Sequence, residues 1–580
     1  MERKEVPLTL EQLAPFDLEA FIHKATELNQ RHALTFTTPF PKAPSRWRSH
    51  SHFTPRPIAL TTEGEVEGGL SWLIGATIDL RFTRSICAPY YANEGGHCYD
   101  PASSFFLEIA AKVDRYPDYA SCCHDLRQHD KGQRSRDIAG LHDAIPGEDD
   151  LSNFRRRVGA GAIESTMAVF VKVFKEFGLI KGEVLATAGQ REPTQARLKG
   201  CAYCCKDCQA FPLDESHRQS LCDQLHNGAK RLQLLCPFPA VVDKVRQLTA
   251  KTGKPHEPMV TLLAVEYGAD ESPPRHGREQ VAELLSLSQD DLPPLRVLGA
   301  HLSRDPQGEL WGHCPKVPQD LEATVGSHID TKDPSKKERV FGSLHHKTTA
   351  INIELGLALP LCNSTDSAHT DEGMHFQAHR ATIGIPIVPG QMQLGDAAYD
   401  VTANYQWIRG QGGIPIIAYN PRNEHLTPEA LLKRGDDQHG TPYAPCGRLC
   451  RSNGYDYQAE SRQYVCGRPC PLDEQDPCPQ AQKPWGSRHR MAFSAHPRLI
   501  GPMQRGTPAW QRLYAIRTAS ERTNSYAQEV IDNGRPPKLR GLQALRFSGA
   551  IRTLAQLLRR ACTFVLDATY TLGKLQTVQT

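Results

Sequence analysis

The stretch QMQLGDAAYDVTANYQWIRGQGGIPIIAYN, residues 391–420, decides the fold expected for this chain. Its first part, QMQLGD, predicts a short apolar strand that ends at Asp396. NYQWIRGQ predicts a helix, and GIPIIAYN predicts a buried strand that ends at Asn420. Upstream, residues 322–330 predict one strand, and residues 340–352 with the following LALPLCN predict a hairpin. The order of these elements predicts a mixed sheet with helices packed against it.

Antiparallel strands followed by strand, helix and strand are the element order of an RNase-H-like α/β core, a mixed sheet flanked by helices. A chain of 580 residues is too long for one hydrophobic core, so further domains are expected. Apolar residues at helical spacing between about residue 100 and residue 300 predict a mainly helical region. Helices with basic side chains often bind DNA, although most such helices simply pack in a bundle. The expected domains are an N-terminal extension (1–75), a mainly helical DNA-binding domain with a cysteine cluster (76–295), the two parts of the α/β core (296–435 and 495–580) and a cysteine-rich insertion between them (436–494).

The composition indicates a folded protein with no membrane span, because 39% of the residues are hydrophobic, 23% are charged and no apolar run approaches ~20 residues. The N-terminal residues lack the apolar core of a signal peptide, so we expect a cytoplasmic protein. The net charge of +3 is uninformative, but residues 481–580 contain sixteen Lys and Arg against four Asp and Glu. This excess favours a polyanionic partner, although a solvated basic surface explains it equally well.

Asp396 is the first candidate for a catalytic residue. The small residues Ala397 and Ala398 leave its front open at the end of the strand. Phosphoryl transfer on DNA uses two divalent cations about 4 Å apart, and a hard ion such as Mg²⁺ prefers carboxylate oxygens. An Asp at a strand end, with another acid on a neighbouring helix, is an economical way to build such a site. Taken alone, GDAAYD is more often an Asp-led turn.

Glu521 is the second candidate acid, on a helix predicted to begin at Thr507 and Pro508, a capping hydroxyl followed by proline at the first helical position. Four side chains fall on one face of this helix, within a wedge of about 60° at 100° per residue: Tyr514, Arg517, Glu521 and Gln528. An Arg–Glu pair at this spacing also stabilises a solvated helix. The aromatic side chain on the same face favours a functional surface.

The spacing of these four residues resembles the Tyr-x2-Arg-x3-Glu-x6-Lys motif of the insertion-sequence DDE transposases. Tyr514, Arg517 and Glu521 match the motif in order. Gln528 departs from it, because the family has Lys at this position. The resemblance is therefore most specific on the helix that carries Glu521.

Two further segments extend the resemblance to roughly residues 100–570. The strand and the D-x-x-Y sequence at Asp396 resemble the second-acid box of the family, and residues 137–159 are similar to its N-terminal DNA-binding domain. The family also has an earlier first Asp, on the strand before the hairpin. Asp330 in SHIDTKDP is the residue that this implies, with Asp333 as its rival. The implied triad is Asp330, Asp396 and Glu521.

The resemblance implies that this triad binds Mg²⁺ or Mn²⁺, hydrolyses the ends of a bacterial insertion sequence at its terminal inverted repeats, and directs strand transfer into target DNA. It implies that Tyr514 and Arg517 contact the DNA ends, and that Gln528 weakens end binding unless nearby Arg522 compensates. A homodimer on double-stranded DNA, associated with the bacterial nucleoid, is implied as well. Two alternatives remain open: an inactive, domesticated DNA-binding protein, which the departure at Gln528 supports, and an RNase-H-like nuclease that cuts without joining.

The 18 cysteines are grouped rather than scattered. In a reducing compartment, such groups favour metal binding over disulfides. The insertion carries five candidate zinc ligands, with His489 as a further one and free thiols as the alternative: Cys446, Cys450, Cys466, Cys470 and Cys478. The helical region carries a denser cluster, with Cys222 and Cys236 beyond it, for which zinc, an iron–sulfur cluster and unligated thiols all remain open: Cys201, Cys204, Cys205 and Cys208.

Overall fold

A computed structural model gives the architecture of the chain. It describes residues 8–33, 39–194, 260–265, 297–304, 310–312, 323–329 and 337–579, with gaps at 55, 57, 61–64, 68, 129, 143, 384, 422–423, 425, 467–479, 481–482, 533 and 535–538. The α-helices are α1 (Leu10–Leu13), α2 (Leu18–Ala33), α3 (Gly69–Thr77), α4 (Thr83–Cys87), α5 (Pro101–Val113), α6 (Tyr119–Gln128), α7 (Asp130–Ala139), α8 (Glu148–Glu176), α9 (Glu372–Ala381), α10 (Thr402–Gly410), α11 (Pro428–Arg434), α12 (Pro508–Ala515), α13 (Thr518–Tyr526) and α14 (Leu542–Gln579). The strands are β1 (Val184–Pro193), β2 (Val260–Val265), β3 (Val297–Arg304), β4 (Leu310–Gly312), β5 (Thr324–Ile329), β6 (Lys337–Asn352), β7 (Leu357–Ser367), β8 (Met392–Gly395), β9 (Ile414–Ile417), β10 (Arg451–Asp456), β11 (Ser461–Val465) and β12 (Arg488–Ala492).

The main sheet has six strands in the order β5–β6–β1–β8–β9, with β7 also paired to β6. β6 is antiparallel to β1, β5 and β7, whereas β8 is parallel to both β1 and β9. β7 and β5 meet end to end beside β6, where the His369 N–H donates to the Thr324 hydroxyl at 3.0 Å. The predicted hairpin and the predicted strand–helix–strand unit are both confirmed. The chain therefore contains a mixed sheet flanked by helices, an α/β architecture.

Strand β1 lies in the middle of this sheet, although it comes from the region 76–295 that the sequence predicted to be mainly helical. Val184 to Ala188 are buried, and both faces of the strand are covered: Leu185 packs in the cluster of the N-terminal helices, whereas Val184 and Ala186 pack against α12 and α13. Thr187 lies opposite Thr348, which is 161 residues further along the chain, and their hydroxyls are 2.8 Å apart. The sheet is thus assembled from segments on both sides of the boundary expected at residue 296.

The helices of the N-terminal part form one large hydrophobic cluster with α14. Helix α2, in the segment expected to be an N-terminal extension, contributes Phe21 and Leu28, which are both fully buried. Leu554 and Val565 of α14 lie in the same cluster. None of the helices in the described part of the chain is both long enough and apolar enough to cross a bilayer.

Several arginines near the C-terminal end of the sequence pair with acids inside the fold. Arg552 of α14 is almost completely buried and contacts Glu192, and its Nη1 lies 2.7 Å from Asp532 Oδ2. On the surface of the same helix, Arg546 pairs with Glu164 at 2.8 Å. The excess positive charge of residues 481–580 is therefore partly neutralised by the chain itself.

Candidate active site

Asp396 directly follows β8, as the sequence predicted. Its carboxylate accepts a hydrogen bond of 2.8 Å from the Ala398 N–H and so caps the single helical turn Ala397–Tyr399. Leu394 and Tyr399 on either side are buried, whereas Asp396 is partly exposed. Asp396 is thus both the last residue before a turn and a carboxylate held at the end of a central strand.

The helix predicted to carry Glu521 begins where expected, because the Thr507 hydroxyl accepts from the Trp510 N–H at 3.2 Å. It is divided, however, between α12 and α13, and a π-helical turn, Ala527–Ile531, follows. At the division, the N–H groups of residues 516, 517, 519 and 520 bond to carbonyls three rather than four residues earlier. This tightening changes the rotation per residue, so one constant angle does not describe the face from 514 to 528.

An apolar contact fixes α12 and α13 on the sheet. Side chains of the two helices pack against β1, β8 and β9 in one cluster: Trp510, Leu513, Tyr514, Ile516 and Ala519 against Val184, Ala186, Leu394 and Ile416. The rings of Trp510 and Tyr514 stack at 4.9 Å between centroids, with 9° between their planes. This packing brings the helix that carries Glu521 to the end of β8.

Four of the predicted site residues lie together. Arg517 Nη2 is 2.8 Å from Glu521 Oε1, and the guanidinium lies 5.1 Å from the centre of the Tyr514 ring. Burial raises the pKa of Asp396 above its ordinary value, and the charge of Glu521 acts in the same direction. The Ala398 N–H and Arg517 oppose that shift. Asp396 and Glu521 are therefore electrostatically coupled, with Arg517 lowering their mutual repulsion.

Glu372, which the sequence did not single out, adds a third carboxylate. It lies in the first turn of α9, and its Oε1 is 2.8 Å from Arg191 Nη1 of β1. Burial raises the pKa of Glu372, and the charge of Asp396 raises it further. The loop of Asp396 and the start of α9 are joined by Asn404, whose side-chain N–H donates to the carbonyls of Gly373 and Tyr399. Glu372 is therefore a close neighbour of Asp396.

The position of Glu372 depends on a glycine in β1. Gly395 lies beside Thr187, so Gly189 is two residues beyond the end of β8. A Cβ atom on Gly189 would lie 2.1 Å from Glu372 Oε2, far inside van der Waals contact. The absence of a side chain on β1 at this point thus leaves the space that the Glu372 carboxylate fills.

Asp330 and Asp333 both lie outside the described residues, so the choice of the first acid remains a prediction. β5, the strand that precedes Asp330, lies at the edge of the sheet. Its last residue, Ile329, pairs with Lys337, whereas Thr187, which lies beside Gly395, pairs with Thr348. These levels on β6 are eleven residues apart, which corresponds to about 37 Å along the strand.

Gln528 and Arg522 are exposed, and no contact joins either of them to Asp396 or Glu521 among the described residues. Gln528 lies in the π-helical turn, where its carbonyl accepts from the Gly534 N–H at 2.8 Å. The proposed roles of these two residues in DNA binding stay predictions. Asp396, Glu521 and Glu372 are called the acid cluster below. Of the predicted DNA contacts, only Tyr514 and Arg517 lie beside it.

Asp400, the second acid of GDAAYD, has a different environment from Asp396. It is completely buried and accepts from the Tyr405 hydroxyl at 2.8 Å and from the Asn420 N–H at 2.7 Å. Arg498 Nη2 lies 2.5 Å from its Oδ2. Asp400 thus joins the loop after β8 to the segment that follows the insertion.

The contacts of Asp400 lead to a prediction about stability. We expect Asp400→Asn to lower the free energy of unfolding by about 3 kcal/mol, because it removes one partner of a buried ion pair. Urea denaturation followed by circular dichroism measures this loss. Asp396→Asn is the matched control, since Asp396 is partly exposed and is expected to change stability little. Equal stabilities of the two variants would contradict the structural role of Asp400.

Three of the nine candidate zinc ligands are described, and they lie near one another in the insertion. Cys446, Cys450 and Cys466 belong to one small cluster with Tyr464. Burial raises the pKa of Cys450 to about 11, and the other two thiols add to the shift. The Ser487 N–H donates to Cys466 Sγ at 3.1 Å. The remaining candidates lie outside the described residues, so zinc binding stays a prediction: Cys201, Cys204, Cys205, Cys208, Cys470 and Cys478.

The donor set at Asp396 is of the kind that Mg²⁺ or Mn²⁺ requires, because it consists of carboxylate oxygens from a strand end and two helices. Arg517 and Arg191 are paired with two of these carboxylates and compensate their charge. In the arrangement described for the chain outside its gaps, no three His, Cys, Asp or Glu side chains are grouped closely enough to hold an ion. Comparison with models of known protein families, with curated proteins and with solved structures finds no match for this chain.

Proposed function

We propose that the chain is a DDE transposase with an RNase-H-like core, which cleaves DNA at terminal inverted repeats and joins it to target DNA. The observation that carries this proposal is that the packing of α12 and α13 on β1, β8 and β9 brings Glu521 within electrostatic range of Asp396, 125 residues away in sequence, at the end of β8. Tyr514 and Arg517 accompany Glu521 there at the spacing of the family motif.

The topology of the sheet supports the same proposal. Three antiparallel strands, β7, β6 and β1, are followed by β8 and β9, which run parallel to β1. This is the element order expected of an RNase-H-like core. In a mixed α/β sheet of this kind, side chains at the carboxyl ends of the parallel strands are well placed to form a site.

In this proposal, Asp396, Glu521 and a third carboxylate hold two Mg²⁺ or Mn²⁺ ions. When bound, such ions activate the attacking oxygen and stabilise the leaving oxygen of an in-line displacement. Arg517 neutralises Glu521 in the metal-free protein, and its guanidinium is suited to forked hydrogen bonds with a phosphate. Tyr514, stacked on Trp510 and contacted by the Arg517 guanidinium, would offer the edge of a fixed aromatic ring to the DNA.

We infer that Glu372 is the third carboxylate of this site. Glu372 contacts Arg191 beside Asp396. By contrast, β5, the strand before Asp330, ends opposite Lys337 of β6, about 37 Å along β6 from Thr348, the residue level with the end of β8. Glu372→Gln should therefore reduce DNA cleavage at least about a hundredfold, by weakening metal binding, and Asp330→Asn should have less than a tenfold effect. Nicking of supercoiled plasmid over a range of Mn²⁺ concentrations measures both. A larger loss of cleavage in Asp330→Asn than in Glu372→Gln would show that Asp330, not Glu372, is the third carboxylate.

The test of the function is an assay with full-length protein, Mg²⁺ or Mn²⁺, and a supercoiled plasmid that carries the DNA flanking the gene. We expect cleavage at the ends and covalent joining to a second plasmid. Cleavage without joining would favour the RNase-H-like nuclease. Binding to the end DNA with neither product would favour the inactive, domesticated protein, which the Gln528 departure also supports.

A further inference from the structure

The three-stranded sheet of the insertion, β10–β11–β12, packs one face against the protein, whereas the opposite face carries several exposed side chains around the buried Ser461 and Val465 of its central strand. Tyr464 and Met491 lie on the inner face, where they pack with Cys450 and Ile500. Arg462 is on this face too, and its Nη2 donates to the carbonyls of residues 501 and 502 at 2.7 and 2.8 Å. The inner face thus uses its apolar residues and its one arginine to attach the sheet to the protein.

The outer face carries a group of basic side chains. Residues directly opposite each other in antiparallel strands share a face, as do residues two apart along one strand. Arg451 lies opposite Val465, and Val465 lies opposite Arg488. Gln463 lies opposite Arg490 in the neighbouring row. Of these residues, Val465 is buried and the others are exposed. Together with the neighbouring Trp485, these exposed residues are called the arginine face: Arg451, Gln463, Trp485, Arg488 and Arg490.

Among the residues that the structure describes, the cations of the arginine face are only weakly neutralised. Neither Arg451 nor Arg488 has a carboxylate within 4 Å in the part of the chain that the structure describes. Arg490 reaches Asp456 at 3.3 Å, and its side chain is 57% exposed. This differs from Arg498 and Arg552, which pair with the buried carboxylates of Asp400 and Asp532.

Trp485 is the second unusual feature of this face, since 51% of its surface is exposed. The Arg488 guanidinium lies 6.0 Å from its ring centre, and both line a shallow depression with Asn453, Gln463 and Arg490. An exposed indole beside cations is unfavourable for solubility and favourable for binding, because it offers a large flat surface with a polar edge.

We propose that the arginine face binds the sugar–phosphate backbone of double-stranded DNA. Two strand spacings separate Arg451 from Arg488, about 10 Å, and two residues of strand separate Arg488 from Arg490, about 7 Å. Three forked cations spread over this distance suit a polymer with a charge every ~1.7 Å of its axis. The choice of DNA as the polyanion rests on the proposed function.

The arginine face is firmly connected to the acid cluster. Arg409 of α10 pairs at 2.8 Å with Glu460, in the turn between β10 and β11. Arg498, which follows β12, holds Asp400, four residues from Asp396. DNA bound on this face is thereby kept in a fixed position relative to the site of cleavage.

The test is binding of a 30-bp duplex of arbitrary sequence to the full chain, measured by fluorescence anisotropy in EDTA between 50 and 200 mM salt. The triple variant Arg451→Gln, Arg488→Gln, Arg490→Gln should bind at least about tenfold more weakly, and the slope of log K against log salt should fall by about 3. The charge-matched control Lys172→Gln, Lys175→Gln, Lys574→Gln changes exposed lysines of the helical part and should bind within about twofold of the unchanged protein.

The inference would be overturned by equal losses of duplex binding in the triple variant and the control, or by an unchanged salt slope in the triple variant. It would also be overturned if the triple variant bound single-stranded RNA more weakly but duplex DNA as well as the unchanged protein does. Trp485→Phe provides an independent measurement, because duplex DNA should quench the fluorescence of the unchanged protein more than that of this variant. Since EDTA prevents cleavage, binding is read separately from activity. A weakened triple variant with no cleavage by the unchanged protein would support the arginine face while rejecting the transposase.

Discussion

Asp396→Asn and Glu521→Gln should each reduce metal-dependent DNA cleavage by at least about a thousandfold, which corresponds to about 4 kcal/mol in activation free energy. Each change removes a negative charge from the proposed metal site while preserving the size of the side chain. Both residues are at least partly exposed, so the fold should tolerate the loss. Plasmid nicking in Mg²⁺ and in Mn²⁺ measures the effect.

Binding of the end DNA distinguishes this prediction from a structural explanation. We expect both variants to bind a labelled end duplex in EDTA within about twofold of the unchanged protein, because they remove proposed metal ligands and no proposed phosphate contact. Arg517→Gln is the informative comparison, since it should weaken end binding and cleavage together. Asp396 or Glu521 would be a structural residue if its variant lost binding and cleavage in equal measure.

Arg552→Met should lower the free energy of unfolding by about 4 kcal/mol. The Arg552 side chain is only 3% exposed and lies between Glu192 and Asp532, and Asp532 also accepts from Lys112 of α5 at 3.2 Å. Without the guanidinium, two buried carboxylates lose their main counter-charge. Arg546→Met on the same helix is the control, because the Arg546 side chain is 49% exposed and its ion pair should contribute at most about 1 kcal/mol. Urea denaturation of both variants measures the difference.

The pKa of Glu192 determines how the unfolding free energy of the protein and of Arg552→Met should change with pH. Burial alone would raise the pKa of Glu192, but the charges of Arg552 and His345 outweigh it and hold the pKa well below the ordinary value. The stabilisation is therefore fully present above the unfolded pKa of about 4.3 and is lost as the pH falls toward the lower pKa of the folded protein. In Arg552→Met the effect of burial dominates, the pKa of Glu192 rises, and stability falls as the pH increases above about 4.3. The deficit should be smaller at pH 5 than at pH 8, and an equal deficit at both would show that Glu192 is not left unpaired.

The elements that the sequence predicted correctly have signals contained within short stretches. The alternation around Thr348 and the turn after Asn352 predict the hairpin, and Thr507 with Pro508 predicts the start of α12. The apolar QMQL before Asp396 predicts β8. In each case the physical cause, a capping hydroxyl or a buried strand face, acts between near neighbours in the chain.

The features that were missed depend on contacts between distant segments. β1 was not recognised, because its partners β6 and β8 lie more than 140 residues further along the chain. Glu372 was missed because an acid in the first turn of a helix usually reflects only the helix dipole. Gly189 and Arg191 were the available signal, a small residue and a cation at alternate positions of a strand. That Gly189 and Arg191 both contact Glu372 is known only once β1 is placed beside β8.

The participation of α14 in the same core as α2, α5 and α8 constrains how the protein is synthesised. Helix α8 ends at Glu176, but its apolar side chains pack with residues up to Leu572 of α14. At ~5–20 residues per second, a ribosome needs roughly 20 to 80 s to make the intervening chain. Throughout that interval the nascent helices lack their last packing partner. The polypeptide therefore completes its core only late in translation, and meanwhile displays an apolar surface to chaperones and proteases.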